Sequence, residues 1–181
     1  MDSKRILLIG CSGAGKSTLS VALAEKLKLP VIHLDALFWN EGWVPTPKSE
    51  FREKLQCELE QPAWIIDGNF NSTIEMRAQY ADLVIFLDFP NWLCLARVFK
   101  RRWQNRGKTR PDMAPGCPEK VDWEFIKFIW TYPKKKRPGV YRMMERVNAD
   151  VLVLQSPAEV KKWLEKLGIE SSVEVRSPRK R

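Results

Sequence analysis

The chain has 181 residues, of which 44% are hydrophobic and 29% charged, a balance that predicts one globular domain with a buried core. No apolar run reaches the length of a membrane span, and the first residues lack the apolar stretch of a secretory signal. Four widely spaced cysteines and a single histidine argue against a zinc cluster or a disulfide framework. We therefore expect a cytoplasmic protein that does not enter the membrane, and the sequence leaves its oligomeric state open.

The net charge of +9 is concentrated in one segment. Residues 97–146 contain 15 Lys and Arg against 5 Asp and Glu, whereas the rest of the chain carries 16 against 17. Such a segment is typical of a solvated basic surface, of a nucleic-acid contact, or of cations that close over a polyphosphate. The phosphate-binding motif described next favours the third interpretation.

The first predicted elements frame a glycine-rich loop. An apolar strand covers 6–9, and a helix over 16–28 has leucines at intervals of four residues. The residues between and just inside these elements complete the pattern G-x-x-x-x-G-K-[ST], with its fixed positions at Gly10, Gly15, Lys16 and Ser17. A match in this strand-to-helix setting indicates a phosphate-binding loop.

This loop predicts binding of ATP with Mg²⁺. Glycines allow the backbone to turn its N–H groups toward the phosphates, and the N-terminus of the following helix adds partial positive charge. Lys16 is predicted to reach the β and γ oxygens as a catalytic cation, and the Ser17 hydroxyl to ligate the metal. The predicted nucleotide-binding residues of the loop are Gly10, Ser12, Gly13, Ala14, Gly15, Lys16, Ser17 and Thr18.

Further apolar strands alternate with helices along the chain. The predicted strands are 31–34, 64–66, 83–87 and 151–154, and the predicted helices start at Thr46-Pro47, Leu93 and Pro157. Continuous apolar strands separated by helices are typical of a parallel sheet covered on both faces. We therefore expect an α/β fold with five parallel strands, whose ligands bind at the carboxyl ends of the strands.

Three aspartates follow these strands. Asp67 is the first choice for the carboxylate that serves the metal and Asp88 the second, although both also fit caps of turns or helices. Asp35 lies where an acceptor would enter, so it is predicted either to accept the proton of an attacking hydroxyl or to hydrogen-bond it. His33 faces the same mouth, where a structural imidazole is the favoured interpretation.

Eight tryptophans are many for this length. Trp39 and Trp43 fall in a predicted loop near the acceptor mouth, where anchoring of the loop and stacking on a ligand are equally compatible with the pattern. The tryptophans within apolar patterns are predicted to lie in the core: Trp64, Trp92, Trp103 and Trp163.

Longer phrases carry a family resemblance. They are the loop 10–18, His33-Leu34-Asp35-Ala36-Leu37, Trp43-Val44-Pro45-Thr46-Pro47, Trp64-Ile65-Ile66-Asp67-Gly68-Asn69, Phe89-Pro90-Asn91-Trp92-Leu93-Cys94, Arg110-Pro111-Asp112-Met113 and Gly116-Cys117-Pro118-Glu119. Over residues 4–168 the chain resembles the DNA topology modulation (FlaR-related) group of adenylate kinase-like P-loop kinases. The resemblance implies a three-layer P-loop NTPase fold of the adenylate and shikimate kinase type, with a lid insertion. It also implies ATP as donor and an adenine site walled by Arg101, Gln155 and Pro157.

The chain departs from nucleoside monophosphate kinases at the acceptor site. Those enzymes carry an arginine four residues after the Asp of their Asp-Gly motif, where this chain has Asn71. Arg77 and Arg52 are candidates to replace it, but neither stands at the matching position. The spacing from Lys16 to Asp35 instead resembles that of shikimate kinase. The sequence thus predicts transfer of the ATP γ-phosphate to a small molecule, either a nucleotide or a hydroxylated metabolite. The alternative is a nucleotide-gated nucleic-acid-binding protein that affects DNA topology.

The sequence also predicts how the chain is organised into a domain, a lid and a tail. We expect one domain over 1–170, a lid insertion over about 103–137, and a basic, disordered tail over 171–181. Arg106 and Arg110 are the leading candidates for a lid arginine that stabilises the transferring phosphoryl group, and Lys134, Lys135 and Lys136 fit a solvated surface better.

Overall fold

The computed structural model describes residues 3–105, 109 and 112–169, and its central feature is a five-stranded parallel sheet. In chain order the strands are β1 (Arg5–Gly10), β2 (Val31–His33), β3 (Trp39–Asn40), β4 (Val44–Pro45), β5 (Trp64–Asp67), β6 (Leu83–Leu87) and β7 (Asp150–Leu154). The parallel sheet has the order β2-β5-β1-β6-β7, and β3 pairs with β4 in a separate antiparallel hairpin. The predicted five-stranded parallel core is therefore confirmed.

Eight α-helices surround and extend this sheet in the described part of the chain. They are α1 (Lys16–Leu27), α2 (Leu34–Phe38), α3 (Lys48–Leu59), α4 (Ile74–Tyr80), α5 (Asn91–Gln104), α6 (Trp123–Lys135), α7 (Arg137–Met144) and α8 (Pro157–Lys166). None of the helices in the described ranges is long and apolar enough to cross a membrane.

The core lies on both faces of the sheet. All four residues of β5 and all but the first of β1 are buried, because parallel strands with helices on both sides have no solvent face. Pairing is in register from Ile6 with Ile65 to Leu8 with Asp67, and His33 pairs with Asp67 at the end of β2. This register brings the ends of β1, β2 and β5 to one edge of the sheet, which is where the loop of residues 10–15 begins.

Two local predictions are wrong. Thr46 is not the cap of the following helix, since its hydroxyl accepts a hydrogen bond from the Asn40 amide at 3.1 Å and the helix starts after Pro47. Trp92 and Trp103 are 63% and 81% exposed instead of lying in the core. The reason is that α5 turns Cys94 and Val98 toward the core, which leaves its bulky aromatic side chains outside. Trp64 is fully buried as predicted, and Trp163 packs at the edge of the core.

The predicted lid divides into two unlike parts. Helix α6 belongs to the main core, since its Ile129 and Tyr132 are buried there together with residues of the central strands. The segment before it forms a separate small cluster, in which Met113, Ala114 and Cys117 pack against the β3–β4 hairpin. We call residues 112–119 the acceptor segment. The part of the predicted lid that lies in α6 thus packs in the core, and the lid itself stays a prediction for the segment before this helix.

Candidate functional site

The glycine-rich loop joins the end of β1 to the start of α1 and lies against α5. Gly13 and Gly15 have φ angles of 85° and 99°, in the left-handed region that favours glycine. A Cβ on Gly13 would also collide with the backbone carbonyl of Cys94. Residues with side chains are therefore disfavoured at position 13, although the motif itself leaves this position open.

Two cations hold the loop through its carbonyl groups. The Lys16 ammonium donates to the carbonyls of Gly10 and Cys11 at 2.9 and 3.2 Å. Arg97 of α5 donates to the carbonyl of Ala14 at 3.1 Å. Its guanidinium carbon lies 5.4 Å from the ring centre of Phe89. Sequence reasoning counted Arg97 only as part of a basic helix, because nothing in its spacing shows that α5 packs against the loop.

Asp67 is fixed at the end of β5 by two hydrogen bonds. The Ser20 hydroxyl donates to Oδ2 at 2.8 Å, and His33 Nδ1 donates to the same oxygen at 3.0 Å. The Ser20 Oγ also lies 2.9 Å from the carbonyl oxygen of Ser17, so its single hydroxyl proton is shared between the two acceptors, and α1 connects the proposed metal residues Ser17 and Asp67. The hydrogen bond to the Asp67 carboxylate is the main cause of the raised pKa of the His33 imidazole, whereas burial acts to lower this pKa.

Asp88, the second candidate for the metal, has a different environment. Its carboxylate makes an ion pair with Arg137 Nε at 2.8 Å and accepts a hydrogen bond from the Tyr141 hydroxyl at 2.9 Å. These contacts tie the end of β6 to the start of α7. Asp88 does not line the cleft described below, whereas Asp67 does, and this difference favours Asp67.

One cleft of about 1200 Å³ connects the loop with the predicted acceptor mouth. Its lining includes most of the predicted site residues: Ser12, Gly13, Ala14, Gly15, Lys16, Ser17, Thr18, Asp35, Asp67, Arg101 and Pro157. Gly10 and Gln155 do not line it. The backbone N–H of Gln155 instead donates to Glu159 at 2.8 Å, so Gln155 helps to cap α8.

The acceptor end of the cleft is built by the β3–β4 hairpin and the acceptor segment. Trp39 and Trp43 stand edge to face with ring centres 5.4 Å apart, and both line the cleft. Trp43 Nε1 donates to the carbonyl of Pro118 at 3.2 Å, and the Cys117 thiol donates to the carbonyl of Asn40 at 3.2 Å. The tryptophans therefore anchor the hairpin, and they also present a wall to the cleft.

The arginines that the sequence suggests for the acceptor site or the lid lie in different environments. Arg101 pairs with Glu119 of the acceptor segment, with Nη2 2.8 Å from Oε1. Arg77 is fully buried and donates to the carbonyls of Gly68, Phe70 and Thr73, so it organises the loop after β5 and does not reach a ligand. Arg52 is exposed on α3 and does not line the cleft. Arg106 and Arg110 lie outside the described residues.

A second acidic residue at the mouth was missed by sequence reasoning. Asp112 of the acceptor segment lines the cleft, and its charge acts on His33 together with those of Asp35 and Asp67. Within the described ranges, no group of three His, Cys, Asp or Glu side chains has the arrangement of a metal site. The oxygens of Ser17 and Asp67 do suit a Mg²⁺ ion that arrives with a nucleotide, because this ion needs only one or two protein ligands.

Comparison with known proteins identifies a family and a fold. The model of a family described as AAA domain (AAA_18) matches residues 6–127. An uncharacterised protein of Bacillus subtilis (strain 168), YqaC, is 32% identical over 108 residues. The match covers 58% of this chain and 60% of YqaC, so the chain spans less than two thirds of that relative.

The solved structures with similar backbones include several kinases. Shikimate kinase from Acinetobacter baumannii, in complex with shikimate, has a TM-score of 0.59 at 19% identity, covering 92% of this chain and 91% of that one. Shikimate kinase from Bacteroides thetaiotaomicron has a TM-score of 0.55 at 22% identity, covering 92% and 99%. Deoxyadenosine kinase from M. mycoides with bound dATP has 0.50 at 17%, covering 91% and 99%. The fold is thus that of P-loop kinases, and the finer resemblance to topology modulation proteins stays a prediction.

Proposed function

We propose that this chain, which belongs to the AAA domain family AAA_18, is an ATP-dependent phosphotransferase that acts on a hydroxyl group of a small molecule. The observation that carries the proposal is the joint position of three groups. The phosphate-binding loop with Lys16, the carboxylate of Asp67 and that of Asp35 line one cleft of about 1200 Å³. A donor phosphate site and an acceptor mouth that share a cleft are what direct transfer between two bound substrates requires.

The donor end suits a nucleoside triphosphate. The loop N–H groups and the N-terminus of α1 provide donors for the phosphates. The Lys16 ammonium donates to two loop carbonyls, which phosphate oxygens can replace. Arg101 and Pro157 also line the cleft and are the proposed walls of the adenine site. Mg²⁺ held by Ser17 and Asp67 would neutralise charge on the β- and γ-phosphates.

The acceptor end suits an attacking hydroxyl. In the proposed step the acceptor oxygen bonds to the γ-phosphorus, the bond from that phosphorus to the bridging β–γ oxygen breaks, and ADP leaves. Asp35 orients the hydroxyl and accepts its proton, and a lid arginine, Arg106 or Arg110, stabilises the transferring group. ATP and Mg²⁺ are thus the proposed donor and metal, and the cytoplasm, where ATP is abundant, is the proposed location.

Thermal stabilisation by ATP tests the donor site. ATP with Mg²⁺ is expected to raise the melting temperature of the wild type, because a ligand that binds only the native state stabilises it. Lys16→Ala is expected to abolish this rise, and Lys162→Ala, which removes a charge from an exposed position of α8 outside the cleft, to retain it. An undiminished rise in Lys16→Ala would contradict the proposal. Transfer of labelled γ-phosphate to a panel of small alcohols and nucleotides then tests turnover.

One surface favours the second candidate, a nucleotide-gated nucleic-acid-binding protein. The outward faces of α5 and α6 carry exposed aromatic side chains: Trp92, Phe99, Trp103, Trp123 and Trp130. The Asn91 side chain donates to the carbonyl of Trp130, so the two helices lie side by side, and exposed Lys100, Arg102 and Lys127 accompany the rings. Aromatic rings with cations are the components that single-stranded nucleic acids bind.

A salt titration decides for or against this candidate. Backbone binding weakens steeply as salt rises, with a slope set by the number of phosphates contacted. The second candidate is supported if a labelled oligonucleotide binds the wild type with such a salt dependence and binds the double variant Trp103→Ala, Trp130→Ala more weakly. Stabilisation of this variant by ATP must at the same time remain unchanged. Absence of binding at low salt would remove it.

A further inference from the structure

Asn69 connects the phosphate-binding loop to the strand that carries Asp67. Strands β1 and β5 pair in register up to Leu8 with Asp67, and continuation of this register places Asn69 opposite Gly10. The side-chain oxygen Oδ1 of Asn69 accepts a hydrogen bond from the backbone N–H of Gly10 at 3.2 Å. A side chain therefore continues the connection between the two strands beyond their last paired residues, at the first position of the loop.

The position of Asn69 is fixed by the residue before it. Gly68 has a φ of 138°, a value that favours glycine, and a Cβ at this position would lie 2.7 Å from the Cβ of Leu34. A residue with a side chain would thus disturb the turn that follows β5. This turn, together with the hydrogen bond to Gly10, defines where the Asn69 amide lies.

The other half of this amide is a buried donor. Among the residues that the structure describes, Asn69 Nδ2 has no hydrogen-bond acceptor, and the atom is shielded from solvent. The contact with Gly10 identifies which side-chain atom is the oxygen, because a backbone N–H requires an acceptor. A buried donor without an acceptor carries the full cost of its desolvation, and native proteins keep such groups chiefly where they have a role.

Gly10 links Asn69 with Lys16. The N–H of Gly10 donates to Asn69, and its carbonyl accepts from Lys16 Nζ at 2.9 Å. The amide and the ammonium are therefore neighbours on the backbone of one loop residue, and both side chains line the cleft. Lys16 is the proposed cation for the β and γ oxygens, and Asp67, two residues before Asn69, is the proposed metal carboxylate.

We propose that Asn69 Nδ2 donates a hydrogen bond to the terminal phosphate of the bound nucleoside triphosphate and so determines the preference for a triphosphate over a diphosphate. This inference rests on the proposed function and names a specificity-determining residue of the same cleft. The backbone N–H groups of a phosphate-binding loop serve the inner phosphates, whereas the terminal phosphate lies toward the lysine and the metal. Asn69 adjoins both Lys16 and Asp67, so its free donor belongs to the terminal group.

Calorimetry with two nucleotides tests the inference. The dissociation constants of ADP and of the non-hydrolysable β,γ-imido analogue of ATP are measured with Mg²⁺ for the wild type, Asn69→Asp and Asn69→Ala. We expect the ratio of the ADP constant to the analogue constant to fall at least about tenfold in both variants, because hydrogen bonds to charged acceptors are among the strong ones. Asn148→Ala, an exposed position before β7 at the opposite end of the sheet, is the control and is expected to keep the wild-type ratio.

The two variants separate this role from a structural one. Asn69→Asp keeps an oxygen acceptor for the N–H of Gly10 and loses the donor, whereas Asn69→Ala loses both without adding charge. If Asn69 only held Gly10, Asn69→Ala would weaken both nucleotides by the same factor, and the unchanged ratio would overturn the inference. A lower ratio in Asn69→Asp alone would also overturn it, because the added charge would then be the cause. An unchanged ratio in both variants is the result expected if a trapped water is the acceptor of Nδ2.

The wild type alone provides a second measurement, which does not depend on the folding of a variant. The side-chain amide resonance of Asn69 in the ¹⁵N-labelled protein is expected to shift when the ATP analogue is added and to shift much less with ADP. Equal shifts with both nucleotides would overturn the inference and leave the phosphotransferase proposal intact. If neither nucleotide binds the wild type, the phosphotransferase proposal and the inference fall together.

Discussion

The two ends of the cleft are built from the chain in different ways. The donor end is one continuous stretch, 10–18, between a strand and a helix, and a single helix, α5, supports it. The acceptor end combines two regions that are distant in sequence: residues 33–45, from the end of β2 through the β3–β4 hairpin, and the acceptor segment. A donor site made from local sequence keeps its chemistry when the rest of the chain changes. An acceptor site assembled by tertiary contacts is where specificity can vary on the same fold.

The largest expected effect separates Asp67 from Asp88. Asp67→Asn is expected to lower kcat for phosphoryl transfer by roughly 10²-fold or more, the scale for loss of one preorganised electrostatic group. ATP binding, measured by calorimetry, is expected to change far less. Asp88→Asn is expected to act mainly on the melting temperature, because Arg137 and Tyr141 lose an ionised partner. Equal losses of kcat in both variants would remove the distinction that the structure makes between the two carboxylates.

Substitution of one glycine at each end of the cleft compares the rigidity of the two ends. Gly13→Ala is expected to cost at least about 2 kcal/mol of unfolding free energy, or roughly 4–8 °C in melting temperature, because it combines a left-handed φ with a collision against the Cys94 carbonyl. Gly42 of the hairpin also has a left-handed φ, 73°, but among the described residues, apart from its two chain neighbours, no atom lies within 4 Å of its added Cβ.

Gly42→Ala is the matched control and is expected to cost only the backbone strain, about 1 kcal/mol. Thermal melts with and without ATP measure both changes, and only Gly13→Ala is expected to lose the stabilisation by ATP. If both variants lost stability equally, the packing of the donor loop on α5 would not be the source of its rigidity.

The donor end was largely predictable from sequence for a physical reason. The glycines, Lys16 and Ser17 act within nine residues, so their spacing alone defines the geometry, and the strand ends placed Asp35 and Asp67 correctly at the cleft. The apolar strands likewise predicted the sheet, because burial on both faces leaves a continuous hydrophobic pattern.

Residues that act through tertiary contacts were less predictable, at the acceptor end and elsewhere. Ser20 reads as an ordinary helix residue, yet it is buried and binds Asp67, and Asp112 lies 77 residues from Asp35 in sequence. Trp103 reads as a core residue because nothing in an apolar pattern tells which face of α5 meets the loop. A search for polar residues one turn after the loop lysine could have identified Ser20.

The next largest expected effect concerns the ion pair that connects the two ends of the cleft. Glu119 of the acceptor segment is nearly buried, with its side chain 4% exposed, and accepts bonds from Arg101 of α5 at 2.8 and 3.0 Å. Glu119→Gln is expected to lower the unfolding free energy by about 1–2 kcal/mol. Hydrogen exchange of residues 112–119 is expected to speed up while the loop 10–18 stays unchanged. The exposed Glu53→Gln of α3 is the control, and an equal effect there would show that the pair does not fasten the acceptor segment.

The smallest expected effect is a pH dependence carried by His33. The folded state raises the pKa of this imidazole above its ordinary value, chiefly through the hydrogen bond to Asp67. A raised pKa stabilises the folded state fully below the ordinary value near 6.5, and this stabilisation is lost as the pH rises through the folded value. His33→Gln is therefore expected to reduce the melting temperature most near pH 6, by an amount that corresponds to about 1 kcal/mol, and progressively less toward pH 9.

Ser20→Ala is the matched control for this pH dependence. It removes the other hydrogen bond to Asp67 Oδ2 with a group that does not titrate in this range, so its effect on the melting temperature is expected to be the same at pH 6 and pH 9. The melts are measured without nucleotide and metal, so that only the protein's own groups titrate. A constant difference between wild type and His33→Gln across this range would mean that the imidazole is not charged in the folded protein. The Asp67 carboxylate would then accept its hydrogen bond from a neutral imidazole.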